Sequence, residues 1–70
     1  MLYTVKIYAS GPNIVKQGKG IIQDTFKTDD FNLAKHEAFH ITNKDLCHTV
    51  LIVNNETGNR IYYHNGNQVY

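Results

Sequence analysis

Apolar and polar residues alternate along the first eight positions of the chain. The alternation predicts a half-buried strand with Tyr3, Val5 and Ile7 on its inner face. A second alternation over residues 20–27 predicts another strand, in which Ile22 and Phe26 point the same way. Residues 10–20 between them are rich in Gly and Lys, so we expect a long loop joining two antiparallel strands.

The period changes from two to about 3.6 after residue 30. Residues 28–30 (Thr-Asp-Asp) supply candidate N-caps, and their negative charge suits the positive end of a helix. A helix is expected from there to about residue 42 or 43. Its apolar stripe consists of Phe31, Ala34, Ala38 and Ile41, and the two alanines would let the helix lie close to a sheet.

Strand and turn patterns alternate over the last third of the chain. Residues 49–53 are apolar on both faces, which is typical of a central strand. A turn over residues 54–59, with Gly58 free to take a positive φ, leads to a return strand at residues 61–63. Residues 64–67 form a second predicted turn, and residues 68–70 are expected to add a short edge strand.

These elements predict an α+β fold for residues 1–70, in one small domain. The expected architecture is an antiparallel sheet of four to five strands with one helix packed on one face, in the order β-β-α-β-β(-β). A chain of 70 residues buries a small share of its surface, and such domains often gain stability from a partner. The sequence therefore leaves open whether the chain forms a homodimer.

The formal net charge of +1, with 19% charged residues, excludes both an acidic DNA mimic and a strongly basic nucleic-acid binder. The five tyrosines suit either a contact surface or the cover of a small sheet.

Cys47 is the only cysteine, which excludes an intramolecular disulfide and suits a reducing cytosol. We expect it to be a buried structural thiol. The apolar run at residues 47–53 is too short to cross a membrane, and the N-terminus does not resemble a signal peptide.

Residues 36–40 match the H-E-x-x-H motif and lie on the predicted helix. In zinc proteases this spacing places two imidazoles on one helix face to bind zinc. Here His36 and His40 lie nearly opposite the apolar stripe, so we expect both to face solvent on an exposed polar face. Four histidines in a short chain make such local matches easy, and adventitious surface binding of a metal is the only metal role that this pattern leaves open.

No other pattern predicts catalysis. Lys19, between two glycines, lacks the spacing and the following Ser or Thr of a phosphate-binding loop. Cys47 and His48 are adjacent in a predicted strand, so they point to opposite faces and form no dyad. We therefore expect a protein that is not an enzyme, with no cofactor and no structural metal.

The last forty residues resemble small phage-encoded anti-CRISPR proteins, those that inhibit the type I-F surveillance complex. The residues that carry the likeness are the helix pattern Phe31-x-x-Ala34-Lys35-x-x-Ala38, the strand Cys47-His48-Thr49-Val50-x-Ile52, and Gly58, Tyr63, Gly66 and Val69. Most of them are structural. Histidines replace some of that family's basic residues, and residues 43–45 are extra between helix and strand.

This resemblance implies a non-enzymatic inhibitor in the host cytoplasm. It would bind subunits of a Cas effector complex, obstruct the binding of target DNA and make at most a weak DNA contact. The implied partner surface is the outer face of the helix with the segment that follows it: Lys35, His36, His40, Asn43 and Lys44. The alternative is a small nucleic-acid-binding protein that uses the first hairpin through Lys6, Tyr8, Lys16 and Lys19.

Overall fold

The computed structural model describes all of residues 1–70 and confirms the α+β class. Its five strands form one antiparallel sheet in the spatial order β2-β1-β3-β4-β5. In chain order the elements are β1 (Tyr3–Tyr8), α1 (Pro12–Lys16), β2 (Ile22–Thr28), α2 (Phe31–Lys44), β3 (Thr49–Asn54), β4 (Arg60–His64) and β5 (Asn67–Val69).

The main core lies between α2 and one face of the sheet. Val5 and Ile7 project from β1 into it, and the T-shaped contact of Phe39 with Tyr63, at 5.0 Å between ring centroids, closes it. Ala34 and Ala38 are fully buried at the contact, because a methyl side chain lets the helix backbone come close to the strands. The predicted inner face of β1 and the predicted helix stripe are both confirmed.

Helix α2 begins where the sequence predicts and ends slightly later. The Asp30 carboxylate accepts hydrogen bonds from the backbone N–H groups of Asn32 and Leu33, at 2.9 and 3.2 Å, and so caps the first turn. The helix extends through Lys44, one or two residues beyond its predicted end, and so includes residues 43 and 44 of the segment that is extra relative to the resembling family. Only residues 45–48 connect α2 to β3.

The three C-terminal strands, β3, β4 and β5, form an antiparallel meander. The first of them, β3, is the central strand of the sheet, as predicted. The turn between β4 and β5 has positive φ at both Asn65 (56°) and Gly66 (72°), as in the tight turns that suit strand twist. A Cβ on Gly66 would come within 3.1 Å of the Asn43 side chain, so this turn lies against the end of α2.

The predicted loop at residues 10–20 was wrong in one respect, because it contains the short helix α1. This helix covers one end of the other sheet face, where Val15 packs with Leu51 and Tyr62 in a second small core. The Nζ atom of Lys16 lies 5.1 Å from the ring centroid of Tyr62 and 5.3 Å from that of Tyr70, as in a cation–π contact.

Two further expectations are resolved by burial. Cys47 is exposed, so the expectation of a buried thiol was wrong: it lies in the turn before β3 and not within the strand. Tyr62 and Tyr63 are almost completely buried, whereas Tyr70 stays 59% exposed. Most tyrosines thus cover the sheet. Neither helix is long and apolar enough to cross a membrane.

Candidate functional site

The outer helix face is the exposed side of α2, defined here as Lys35, His36, His40, Asn43 and Lys44. Its position follows from helical spacing. Ala34, Ala38 and Thr42 recur every four residues and are completely buried. His36, His40 and Lys44 recur with the same spacing two positions later, which turns them about 200° away from the buried row. All five members are exposed, with His36, His40 and Asn43 turned most directly away from the buried row and Lys35 and Lys44 on the two flanks of the helix.

The side chains of this face differ in what they contact. The imidazoles of His36 and His40 lie parallel, with 6.3 Å between centroids and 7° between ring planes. The Lys35 ammonium reaches back over the Phe39 ring, 5.9 Å from its centroid. Asn43 lies beside Gly66 of the β4–β5 turn. The face therefore presents two lysines and two imidazoles, with no structural ion pair among them.

A groove of about 730 Å³ adjoins the C-terminal end of the outer helix face, and we call it the end groove. It separates α2 from β2, and both His40 and Lys44 line it. Its other lining residues are Ile7, Gln23, Asp24, Ile41, Asp45 and His48. The lining contains two acids, one lysine and two imidazoles, so the groove has no dominant charge.

His48 connects two walls of the end groove. Its Nε2 atom is hydrogen-bonded to the Gln23 side-chain oxygen, and its Nδ1 atom lies 2.8 Å from a carboxylate oxygen of Asp45. That second approach is not aligned as a hydrogen bond, so it is a close polar contact between the imidazole and the carboxylate. The backbone N–H of Cys47 and then the His48 imidazole lower the pKa of Asp45 from its ordinary value of 3.8. This set could not be found from the sequence alone. Asp45 lies three residues before His48 in the chain, but Gln23 lies twenty-five residues before it and meets it only in the fold.

A second surface lies on the opposite side of the sheet, beyond the part that α1 covers. This basic groove, of about 380 Å³, is lined by Thr4, Lys6, Thr25, Lys27, Val53, Asn55 and Arg60. Cross-strand pairing brings its cations together: Thr4 is paired with Lys27 on one side and Val53 on the other, and Val53 is paired with Arg60. Lys6 occupies the next row. No acidic residue lines the groove.

The residues of the alternative nucleic-acid site fall at separate places. Lys6 lies in the basic groove, while Tyr8 is half-buried against the core under α1. Lys16 is engaged by two tyrosine rings, and Lys19 is exposed beyond α1. The structure thus joins Lys6 not to the other three but to Lys27 and Arg60. Counting the hairpin register from the turn at Gly58 could have found Arg60 opposite Val53.

No group of three or more metal-ligating side chains occurs in the chain, and Cys47 with His48 forms no nucleophile–base pair. Comparison of the chain with protein-family models, with characterised proteins and with solved structures gives no significant match.

Proposed function

We propose that this protein is a non-enzymatic phage inhibitor that binds a subunit of a host CRISPR–Cas effector complex and obstructs the binding of target DNA. The contact surface is the outer helix face. The observation that carries the proposal is that Lys35, His36 and His40 are exposed on the outer helix face. These three residues match basic positions of the anti-CRISPR family, and residues 43 and 44 of the same face lie in the segment that is extra in this chain. The site of action is the cytoplasm of the bacterial host.

The chemistry of the outer helix face suits a polar protein interface. Lysine, imidazole and amide groups can form hydrogen bonds to carboxylate, phosphate or backbone groups of a partner. Leu33 is 45% exposed at the same side of the helix and can supply apolar contact area. With a net charge of +1 the chain has little long-range steering, so affinity would come from short-range contacts.

Obstruction follows from the shape of the molecule and not from catalysis. The domain measures 27 × 23 × 21 Å, which is wider than a DNA duplex groove and comparable to a small subunit. A rigid body of this size, bound beside a guide–target channel, would exclude the target strand sterically. The sheet behind α2 supplies that rigidity, because the helix packs across the strands of the sheet and buries two alanines completely at the contact.

The test reverses charge on the outer helix face. Lys35→Glu and Lys44→Glu should each weaken binding to the purified type I-F complex by about 1–3 kcal/mol, which is roughly 5- to 150-fold, where the lysine is desolvated. His40→Asp tests the neighbouring position. Folding should change by no more than about 0.5 kcal/mol, because all three side chains are exposed.

Lys19→Glu is the matched control, since it makes the same charge change on an exposed lysine away from α2. Binding is measured by pull-down and by titration, and inhibition by the loss of target-DNA binding in a gel shift. If the helix variants keep full binding and inhibition while Lys19→Glu abolishes both, the proposed surface is wrong and the first hairpin loop is favoured instead.

The basic groove supports a second candidate, direct binding of a nucleic-acid backbone. Lys6, Lys27 and Arg60 share one uncovered sheet face without an acid. Three phosphate contacts would give a slope of log affinity against log salt of about −2.7 on duplex DNA. We expect the isolated protein to bind duplex DNA no tighter than roughly 10 μM to 1 mM at physiological salt. Sub-micromolar binding that Lys27→Glu abolishes would favour this candidate over the inhibitor.

A further inference from the structure

Two of the four histidines are engaged within the fold and two are free. His48 contacts both Gln23 and Asp45, and Nδ1 of His64 is hydrogen-bonded to the backbone carbonyl of His48 at 3.0 Å. His36 and His40 make no hydrogen bond and no ion pair within the chain. Their only mutual relation is the parallel stacking of their rings. No ring nitrogen of this pair is engaged within the chain, so each imidazole can offer one nitrogen lone pair to an ion from solvent.

The separation of the two rings is close to that of a chelate. Two imidazoles on one tetrahedral ion, at about 2.0–2.1 Å per bond, have ring centroids roughly 5 Å apart. The observed 6.3 Å is close to this value, and exposed side chains can close the difference by small rotations of χ1 and χ2. The backbone needs no change, since residues four apart on a helix already face the same way.

We propose that His36 and His40 form a two-ligand site for a divalent transition-metal ion of the kind that imidazole prefers, such as Zn²⁺, Ni²⁺ or Cu²⁺. Water completes the coordination shell. The helix holds both side chains on one face before the ion arrives, so the second imidazole binds at a high effective concentration. This inference goes beyond the proposed inhibition and does not depend on it.

The site is built for binding and not for metal-dependent catalysis. A catalytic zinc needs three protein ligands in a closed, dry cleft, whereas this pair is exposed and no third acid or thiol joins it. Because the ion binds to the surface of a folded helix, it adds stability by mass action alone. At a metal concentration one hundred times Kd, the folding equilibrium constant should rise about 100-fold.

The experiment titrates the purified, metal-stripped protein with Zn²⁺ by calorimetry and follows thermal unfolding alongside. We expect one ion per chain with a Kd below about 0.1 mM, and a Tm that rises with Zn²⁺ but not with Mg²⁺. Substoichiometric Ni²⁺ should broaden the NMR signals of the His36 and His40 rings before those of His48 and His64. His36→Gln and His40→Gln should each weaken Zn²⁺ binding by about tenfold or more.

His64→Gln is the control, because it removes one histidine without touching the helix pair. It should leave the Zn²⁺ affinity unchanged. The proposal is overturned by any of three results: no saturable binding up to about 1 mM Zn²⁺, equal losses in His36→Gln and His64→Gln, or equal stabilisation by Mg²⁺. Since every measurement uses the isolated chain, failure of this proposal and failure of the proposed inhibition give separate results.

Discussion

Thr42 connects helix α2 to the last hairpin, and its replacement by valine tests that connection. The side chain is completely buried. Its hydroxyl donates a hydrogen bond to the Ala38 carbonyl at 2.7 Å and accepts one from the Gly66 N–H at 3.1 Å. Valine keeps the shape and removes both bonds. The Ala38 carbonyl still has the helix as a partner, whereas the Gly66 N–H loses the only partner that it has.

The expected cost of Thr42→Val is therefore about 1–3 kcal/mol, the range for leaving one buried donor unpaired. For a domain of 70 residues each kcal/mol lowers Tm by about 4–8 °C. Thr42→Ser is the matched control: it keeps the oxygen and loses one buried methyl group, which costs about 0.8 kcal/mol or somewhat more.

Hydrogen exchange separates the two variants where their stabilities overlap. The Gly66 amide should exchange faster in Thr42→Val than global unfolding requires, and it should stay protected in Thr42→Ser. Denaturant unfolding supplies the free energies. If Thr42→Val unfolds within about 0.5 kcal/mol of the unchanged protein and the Gly66 amide exchanges at its original rate, the hydroxyl does not connect α2 to the turn.

Three further predictions address pH, core packing and metal. Because the folded state lowers the pKa of Asp45 from its ordinary value of 3.8, its contribution to stability is present above that value and is lost as pH falls through the lower folded value. Asp45→Asn should therefore flatten the acid limb of unfolding below about pH 4, and an unchanged limb would contradict this. Ala38→Glu puts a charge at a completely buried contact and should unfold the domain, as circular dichroism would show; a folded variant with the original Tm would refute the packing. For protein purified without added metal, exhaustive chelation with EDTA should leave Tm unchanged, since the fold brings no three metal-ligating side chains together, and a large drop would contradict this.

Hydrophobic periodicity was sufficient to predict an element and its buried face where that element packs one face against the core. The stripe from Phe31 to Ile41 predicted both the start of α2 and the side that packs on the sheet, and the alternation of Tyr3, Val5 and Ile7 predicted the inner face of β1. In both segments local propensity and tertiary packing favour the same structure. The outward position of His36 and His40 followed from the same helical period, because both residues lie nearly opposite the buried stripe.

Helix α1 could not be predicted in this way. It has only five residues, too few for a periodic pattern, and Gly11-Pro12-Asn13 resembles a turn. Proline at the first helical position is compatible with a helix start, but what stabilises so short a helix is the packing of Val15 on Leu51 and Tyr62. These partners lie more than thirty residues later in the chain.

The basic groove also could not be predicted from the sequence, because its residues come together only in the folded sheet. Lys27 and Arg60 are far apart in sequence and become members of one row only through the register of four strands. The sequence analysis grouped Lys6 with Lys16 and Lys19 because they are near in the chain. In the fold, Lys16 instead lies over two tyrosine rings.

The two candidate surfaces lie on opposite sides of one sheet, and this separation has a consequence for function. The outer helix face covers the side that holds Val5 and Ile7, whereas the basic groove uses the alternate side chains of the same strand, such as Lys6. A partner bound to α2 would therefore leave the basic groove exposed to solvent. Contacts on the two sides share no side chain, so their contributions to binding should add within about 0.3–0.5 kcal/mol. Under the proposed function, the protein would therefore hold its partner with one face while its other face remains free for a phosphate backbone close by.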